Sequence, residues 1–381
     1  MSDTSVDPNR AFVRAEMLTA RPAPGLTVGP IAWMRENLAS SPGNFLLTLV
    51  GILILYKLIP PVIEFAFIKA TWTGTNGADC RIAGFGACWP YVVDYLDEFA
   101  YGRYPFAERW RVNTVFVLFF ALMVPLMIPK LPHKGWNALA FFGIFPVVAF
   151  FLLVGSPTLG LPIVETRNWG GLLVTLVVAV TGIVASLPMG ILLALGRRSK
   201  MPIIRLLSVV YIEVWRGVPL ITVLFMANTM LPLFVHEGQS IDNLLRALIG
   251  VAFFSAAYMA EVVRGGLQAI PKGQYEGAMA LGLSYWKMML LIILPQALKL
   301  VIPGIVNTFI GLFKDTTLVA IVGLFDLLGM IQATRANPVW AAPTTMLTGY
   351  LVAAIVYFTF CYGMSRYSQY MERRLATGHK R

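Results

Sequence analysis

The residues whose types and spacing suit chemistry gather in one polar stretch, residues 261–295, EVVRGGLQAIPKGQYEGAMALGLSYWKMMLLIILP. It lies between two strongly apolar runs. Within it Glu276, Gly277 and Ala278 are followed by Gly282 and then by Ile292, Leu294 and Pro295. The chemistry on offer is recognition. Glu276 presents a carboxylate to a basic partner, and Gly277, Ala278 and Ala280 leave so little bulk that another surface can approach closely. Bond-making sets are missing from the sequence: there is no Ser/His/Asp arrangement, no carboxylate dyad and no His pair at metal spacing. His133, His236 and His379 each read as single surface residues. The chain is therefore expected to be non-catalytic, with no cofactor or metal of its own. No G-x-x-x-x-G-K-[ST] occurs, so the chain cannot cradle nucleotide phosphates by that means. Energy for any work must come from a partner or an ion gradient.

The elements that position this stretch follow from local rules. Pro271, with fixed φ and no N–H, can open a short helix. Lys272 to Leu281 reads as that helix, and Gly282 permits the sharp turn that ends it. Ser284 is a suitable N-cap for the next helix. On physics alone the same residues also describe an ordinary interfacial turn. The setting is a bilayer: 57% of the 381 residues are hydrophobic and 13% charged, against roughly 25% charged in soluble domains. Apolar runs of about 20 residues must be helices there, because every backbone polar group has to bond internally. The fold class expected is an all-α integral membrane protein. Eight spans are predicted, at about 45–68, 112–129, 137–155, 170–196, 206–235, 242–263, 288–313 and 341–364. Pro60-Pro61 should end or kink the first. Lys57 and Glu64 read as snorkelling toward opposite interfaces.

Residues 1–44 form a polar leader without the pattern of a cleaved signal peptide. Composition divides the chain near 165, into a Phe-rich three-span extension (45–165) and a five-span part (166–368), followed by a basic tail (369–381). Counting Lys and Arg over short loops places 130–136, 197–205, 264–287 and both termini in the cytoplasm. The net charge of +11 thus reflects loop orientation and membrane lipid, with no nucleic-acid partner expected. The loop 69–111, with Trp72, Trp89 and Trp110, then faces outward and suits a small folded cap. Cys80 and Cys88 share it and could pair in an oxidising compartment. Cys361 reads as a buried small hydrophobe.

The order E-G-A-x3-G-x9-I-x-L-P from Glu276 to Pro295 resembles the EAA loop of permease subunits in ATP-binding-cassette (ABC) importers, departing only at Gly277, where Ala is usual. Tyr211, Ile212, Glu213, Arg216, Gly217, Pro219 and Leu220 are similar to the Y-I-E-x-x-R-G-x-P-L signature of the polar amino acid (histidine/glutamine-type) subfamily, with Val218 where Thr is common. The resemblance covers about 168–368. The three extra spans and the large outer loop resemble the long permease subunit of general L-amino acid importers. It implies a five-helix type I importer core with coupling loop 264–288, and ATPase subunits docked on it that bind ATP and Mg²⁺. It also implies a second, identical or homologous permease and a periplasmic amino acid-binding protein, all at a bacterial inner membrane.

Residue roles follow from both sources. Glu276, Gly277, Ala278, Gly282 and Pro295 are expected to couple to the ATPase. Glu213 and Arg216, three apart on one helical face, are expected to form a structural ion pair, with Gly217 and Pro219 in the same structural or gating group. Lys299, Asn307, Thr308, Lys314 and Asp315 are the candidates to line the pathway; Lys299, Asn307 and Lys314 fall near one stripe, and packing or snorkelling is the alternative for each. Pro295 and Pro303 should kink their span and free carbonyls. An ion-driven secondary transporter is the rival reading, which would want inverted repeats and mid-membrane carboxylates.

Overall fold

A computed structural model describes residues 29–82, 85–234 and 241–375. Among these the named elements are all helices, accompanied by isolated β-bridges. The chain divides into two compact units, Met1–Ile68 and Lys69–Arg381, so packing puts the boundary at 68/69 where composition puts it near 165.

In the first unit a short helix, Pro30–Leu38, precedes α1, Pro42–Ile63. Ser41 caps α1 by accepting from the Asn44 N–H at 3.1 Å. Pro60 and Pro61 do not end it. The helix runs on through Ile63 and widens into a π-helical turn, Glu64–Ile68. Such local widening is one way a membrane helix re-satisfies backbone groups freed by proline.

The second unit opens with three short helices, Gly77–Ile82, Trp89–Asp94 and Leu96–Tyr101, tied by a disulfide between Cys80 and Cys88, whose Cα atoms are 5.6 Å apart. Then come α2 (Arg109–Met127) and α3 (Lys134–Val154, with a π-helical turn at Ala140–Ile144). The core is built round α4 (Gly171–Arg197) and α7 (Asn243–Ala269), which pack on each other more extensively than any other pair. Between them lie α5 (Pro202–Gly217) and α6 (Leu220–Met230). The remainder is α8 (Lys272–Ala280), α9 (residues 285–300), α10 (Ile302–Asp315, extended by a 3-10 stretch to Val322), α11 (Leu327–Ala333) and α12 (Thr345–Leu375).

Among the described residues seven helices are long and apolar enough to cross a membrane, or up to eight if the pair Pro202–Gly217 and Leu220–Phe234 is counted as one span. That pair is bent by 105°, so the single span expected over 206–235 is broken. The cause is local: Val218 is extended (φ −110°, ψ 134°), as the residue before a proline prefers, and Pro219 caps α6. The span expected at 288–313 is also displaced. It breaks at Val301 (φ −106°, ψ 12°), two residues before Pro303, and the membrane-length piece is Ile302–Val322. The last helix outruns its prediction, continuing to Leu375 through residues read as tail.

One buried cluster unites both halves of the second unit: Val112 and Val115 of α2, Phe145 and Leu153 of α3, Leu173 and Val178 of α4, and Val223 and Val251 of α6 and α7. The Phe-rich spans α2 and α3 are part of this core. Fully buried Arg111 fastens them, holding Glu108 at 2.7 Å and the Pro162 carbonyl at 3.1 Å.

Candidate functional site: the α8 loop and the charges behind it

The loop is built as a helix closed by a glycine. Pro271 takes the N-cap position, one place before α8, and Leu281 the C-cap. Gly282 sits at φ +69°, a left-handed conformation that costs a side-chain-bearing residue about 1–2 kcal/mol. It allows the Gly282 N–H to reach the Met279 carbonyl (2.9 Å) and the Leu283 N–H the Ala278 carbonyl (3.2 Å), the paired bonds of a Schellman ending. Ser284 occupies the N-cap of the following turn, but its hydroxyl makes no capping bond.

The expected coupling residues divide in two. Glu276, Gly277 and Gly282 are exposed, and a Cβ on either glycine would meet nothing within 4 Å. Met279 and Leu281 (77% exposed) stand beside them, giving the tip an apolar surface. Ala278 faces the other way. It is buried with Leu267, Ile270, Met288, Ile293 and Ala297, so it seats the helix and is unavailable to a partner. Pro295 is exposed in α9, just past the π-helical turn Met289–Ile293.

Behind the tip is a clamp that sequence reading did not single out. Arg198, at the end of α4, donates to the Leu267 carbonyl of α7 (2.9 Å) and to the Tyr275 hydroxyl of α8 (3.1 Å). Its guanidinium also lies 5.5 Å from the Tyr275 ring centroid, and Tyr275 donates to the same carbonyl at 3.1 Å. Gln296 of α9 donates to Gln274 at 3.1 Å. Gly266 brings α7 against α9, since a Cβ there would lie 2.6 Å from the Ala297 carbonyl oxygen. Thus α8 is fixed to α4, α7 and α9 together.

The expected Glu213–Arg216 pair does not form. Glu213 pairs with Arg197 of α4 at 2.9 Å, and Arg216 reaches Glu261 of α7 at 3.5 Å. Glu261 is the hub. Its side chain is 15% exposed and also takes Arg197 (2.9 Å) and Arg264 (2.7 Å), the latter through both carboxylate oxygens. Helical spacing permitted the local pair, but a better-buried carboxylate competes for Arg216, whose guanidinium also packs 5.6 Å from the Tyr258 ring. Three guanidinium groups against two carboxylates therefore join α4, α5 and α7 directly beside the α5–α6 bend. Charge-assisted, multidentate bonds of this kind fix geometry strongly. The signal available in the sequence was Glu261 itself, a carboxylate at the end of an apolar span.

The pathway candidates are not all brought together. Asn307 and Lys314 share an exposed face of α10 with Pro303, and Gly311 between them has open space. Thr308 leaves that face: it is half-buried and bonds back to the Gly304 carbonyl at 3.0 Å. Asp315 is half-buried at the end of α10, and Lys299 is exposed on α9, beyond the break. The predicted stripe is thus continuous only from 303 to 314.

A family model described as "Binding-protein-dependent transport system inner membrane component" matches residues 186–377. The inner membrane amino-acid ABC transporter permease protein YhdY of Escherichia coli (strain K12) is 53% identical over 358 residues, covering 94% of this chain and 96% of that protein. The chain belongs to this family of binding-protein-dependent inner membrane components. It is a multi-pass transport permease of the inner membrane, and membership sets aside the ion-driven reading. The glutamate/glutamine/aspartate/asparagine transport system permease protein BztC of Rhodobacter capsulatus is 41% identical, with the alignment spanning all of both chains. The probable glutamine ABC transporter permease protein GlnP of Bacillus subtilis is 34% identical over 54% of this chain and 92% of its own length. The family match takes in α5 to α12, the clamp, the charged hub and the expected site residues. It leaves α1, α2 and α3 outside, although α2 and α3 share the core.

Proposed function

We propose that this permease is the membrane subunit of an ATP-driven importer of L-amino acids, with the α8 tip as the seat of a partner ATPase that binds ATP and Mg²⁺. In this reading the α8 loop and both termini are cytoplasmic, as the distribution of Lys and Arg over the short loops requires. A second permease, identical or homologous, completes the pathway, and a periplasmic amino acid-binding protein delivers substrate. The names of the long relatives support amino acids as the cargo.

The observation that carries the reading is that α8 is exposed at its tip and clamped from behind. A push on Glu276, Gly277, Met279 and Leu281 cannot be absorbed by the loop. The Arg198–Tyr275–Leu267 contacts pass it to α4 and α7, and the Glu261 hub passes it to α5 beside the Pro219 bend. ATPase closure then moves packed helices as rigid bodies. Asn307 and Lys314, on the open face of α10, line the route in this scheme.

The test is purification through this chain from its native membrane. An ATPase subunit should accompany it, with hydrolysis stimulated by amino acid and binding protein. Purification without any ATPase, alongside undiminished amino acid uptake after deletion of the chain, would sink the proposal.

A further inference from the structure

A cavity of about 1060 Å³ lies away from the α8 loop, between α2, α3, α4 and the start of α7. Along the spans its wall is apolar, carrying Phe116, Phe119, Phe142, Phe150 and Val180. The wall changes character where α4 and α7 begin, with Trp169, Asn243 and Arg246.

Among the described residues, these three have unmet demands. Trp169 is 6% exposed, yet its indole Nε1–H has no hydrogen-bond partner. Asn243 donates to the Val322 carbonyl at 2.7 Å while its own Oδ1 stays unbonded. Arg246 donates to the carbonyls of Ile241 (2.8 Å) and Asn228 (2.9 Å) and to the Asn228 side chain (3.4 Å), which leave its charge uncancelled. Of the rim carboxylates Glu165 has a cationic partner, and Asp242 has neutral donors that fix its orientation. Glu165 pairs with Arg167 at 2.5 Å, and Asp242 accepts from the Leu245 N–H at 3.1 Å and from the Thr166 hydroxyl. An orphaned buried donor carries a desolvation penalty, so a ligand that satisfies it is favoured. The donor and the cation sit at one end of an apolar crevice, at the span ends where head groups lie. An amphiphile with anionic acceptor oxygens and a long apolar body meets both requirements. A free amino acid would leave the phenylalanine wall uncovered.

We propose that this crevice binds one membrane phospholipid, its acyl chains against the phenylalanine wall, its phosphodiester on Arg246 and its ester oxygens on the Trp169 indole N–H. A donor in the head group, such as a glycerol hydroxyl, satisfies Asn243 Oδ1. The assignment rests on the crevice alone and is independent of what the permease carries.

Native mass spectrometry of the detergent-solubilised full chain with dioleoylphosphatidylglycerol tests it. One lipid per chain should survive delipidating activation, and dioleoylglycerol, which lacks the phosphodiester, should be held about tenfold more weakly. Trp169→Phe and Arg246→Gln should each lower retention about tenfold, Val180→Trp should abolish it, and inorganic phosphate should not compete. Equal retention by wild type, Trp169→Phe and Arg246→Gln would overturn the site. A photo-crosslinking residue in place of Val180 decides the matter without destabilising variants. Capture of lipid mass supports the proposal, and capture of peptide, from α1 or from a second copy, overturns it.

Discussion

At its start α4 meets a cap held by a covalent bridge and a dry aromatic cluster; at its end it meets the α8 loop, held by arginines. In the cap, Tyr91, Tyr95, Phe99 and Trp340 pack around the buried Cys80–Cys88 disulfide. Tyr91 bonds Thr334 at 2.6 Å, Trp340 donates to Asp94 at 2.7 Å, and the Cys88 N–H donates to Thr348 at 2.9 Å. Burial pushes the Tyr91 phenol up to about 12, so it bonds Thr334 as a neutral group at any ordinary pH. At the other end the ties are longer-armed and charged: Arg198 holds the α8 loop, and Arg197, Arg216 and Arg264 around Glu261 hold the helices behind it. Covalent and aromatic contacts resist displacement, whereas side-chain bonds at a half-exposed surface open locally at lower cost. The cap is the more rigidly held of the two ends of α4.

Substitutions can sharpen or break this contrast. The largest loss of stability is expected from Glu261→Gln, which strands Arg216 and Arg264 around a neutral hub and leaves Arg197 only Glu213. About 3 kcal/mol is the scale for uncompensated buried charge, readable as a fall in the melting temperature of the solubilised chain. If the hub only decorates the surface, the melt will not move. Replacing Cys80 and Cys88 by Ala comes next: a bridge closing a loop of this length, eight residues apart, contributes about 2.5 kcal/mol. Yet transport should persist, because the aromatic cluster remains; abolished uptake in a chain that still inserts would contradict a passive platform. Gly282→Val should cost about 1–2 kcal/mol from its left-handed backbone and abolish uptake-coupled ATP hydrolysis while the protein still inserts. Glu276→Lys, on the exposed tip, should change stability by no more than about 0.5 kcal/mol and still lose ATPase association on co-purification. Normal uptake by both loop variants removes α8 from the coupling route. The smallest effect belongs to Glu213→Gln, whose partner Arg197 keeps Glu261. With a carboxylate 55% exposed, under about 1 kcal/mol is expected.

Much of this was legible from residue order. Hydropathy located the spans because the bilayer demands long apolar helices, and Pro271, Gly282 and the small residues between them announced a short helix with a glycine ending. Other features were not legible. A periodic pattern places Glu213 and Arg216 on one face but cannot say that Arg197 and Glu261, distant in sequence, arrive there first. The same pattern offers Ala278 to a partner, although the fold spends it on seating α8. Asn307 and Thr308 were both pathway candidates, yet a helix turns about 100° between neighbours, and Thr308 bonds back to its own helix.

The sequence by itself determined that the chain is helical and membrane-spanning, and that one polar stretch closes a short helix with a glycine. Those properties depend on composition and on contacts within a few residues. Tertiary structure alone decided which arginine holds which carboxylate, that α2 and α3 belong to the core, and that the span holding Pro219 bends by 105°. The α8 loop, first visible as Glu276, Gly277, Ala278 and Gly282, is joined to the end of α4 by Arg198, which bonds Tyr275 of α8 and Leu267 of α7. The second contact joins residues 69 apart in the chain, and long-range packing had to bring them together.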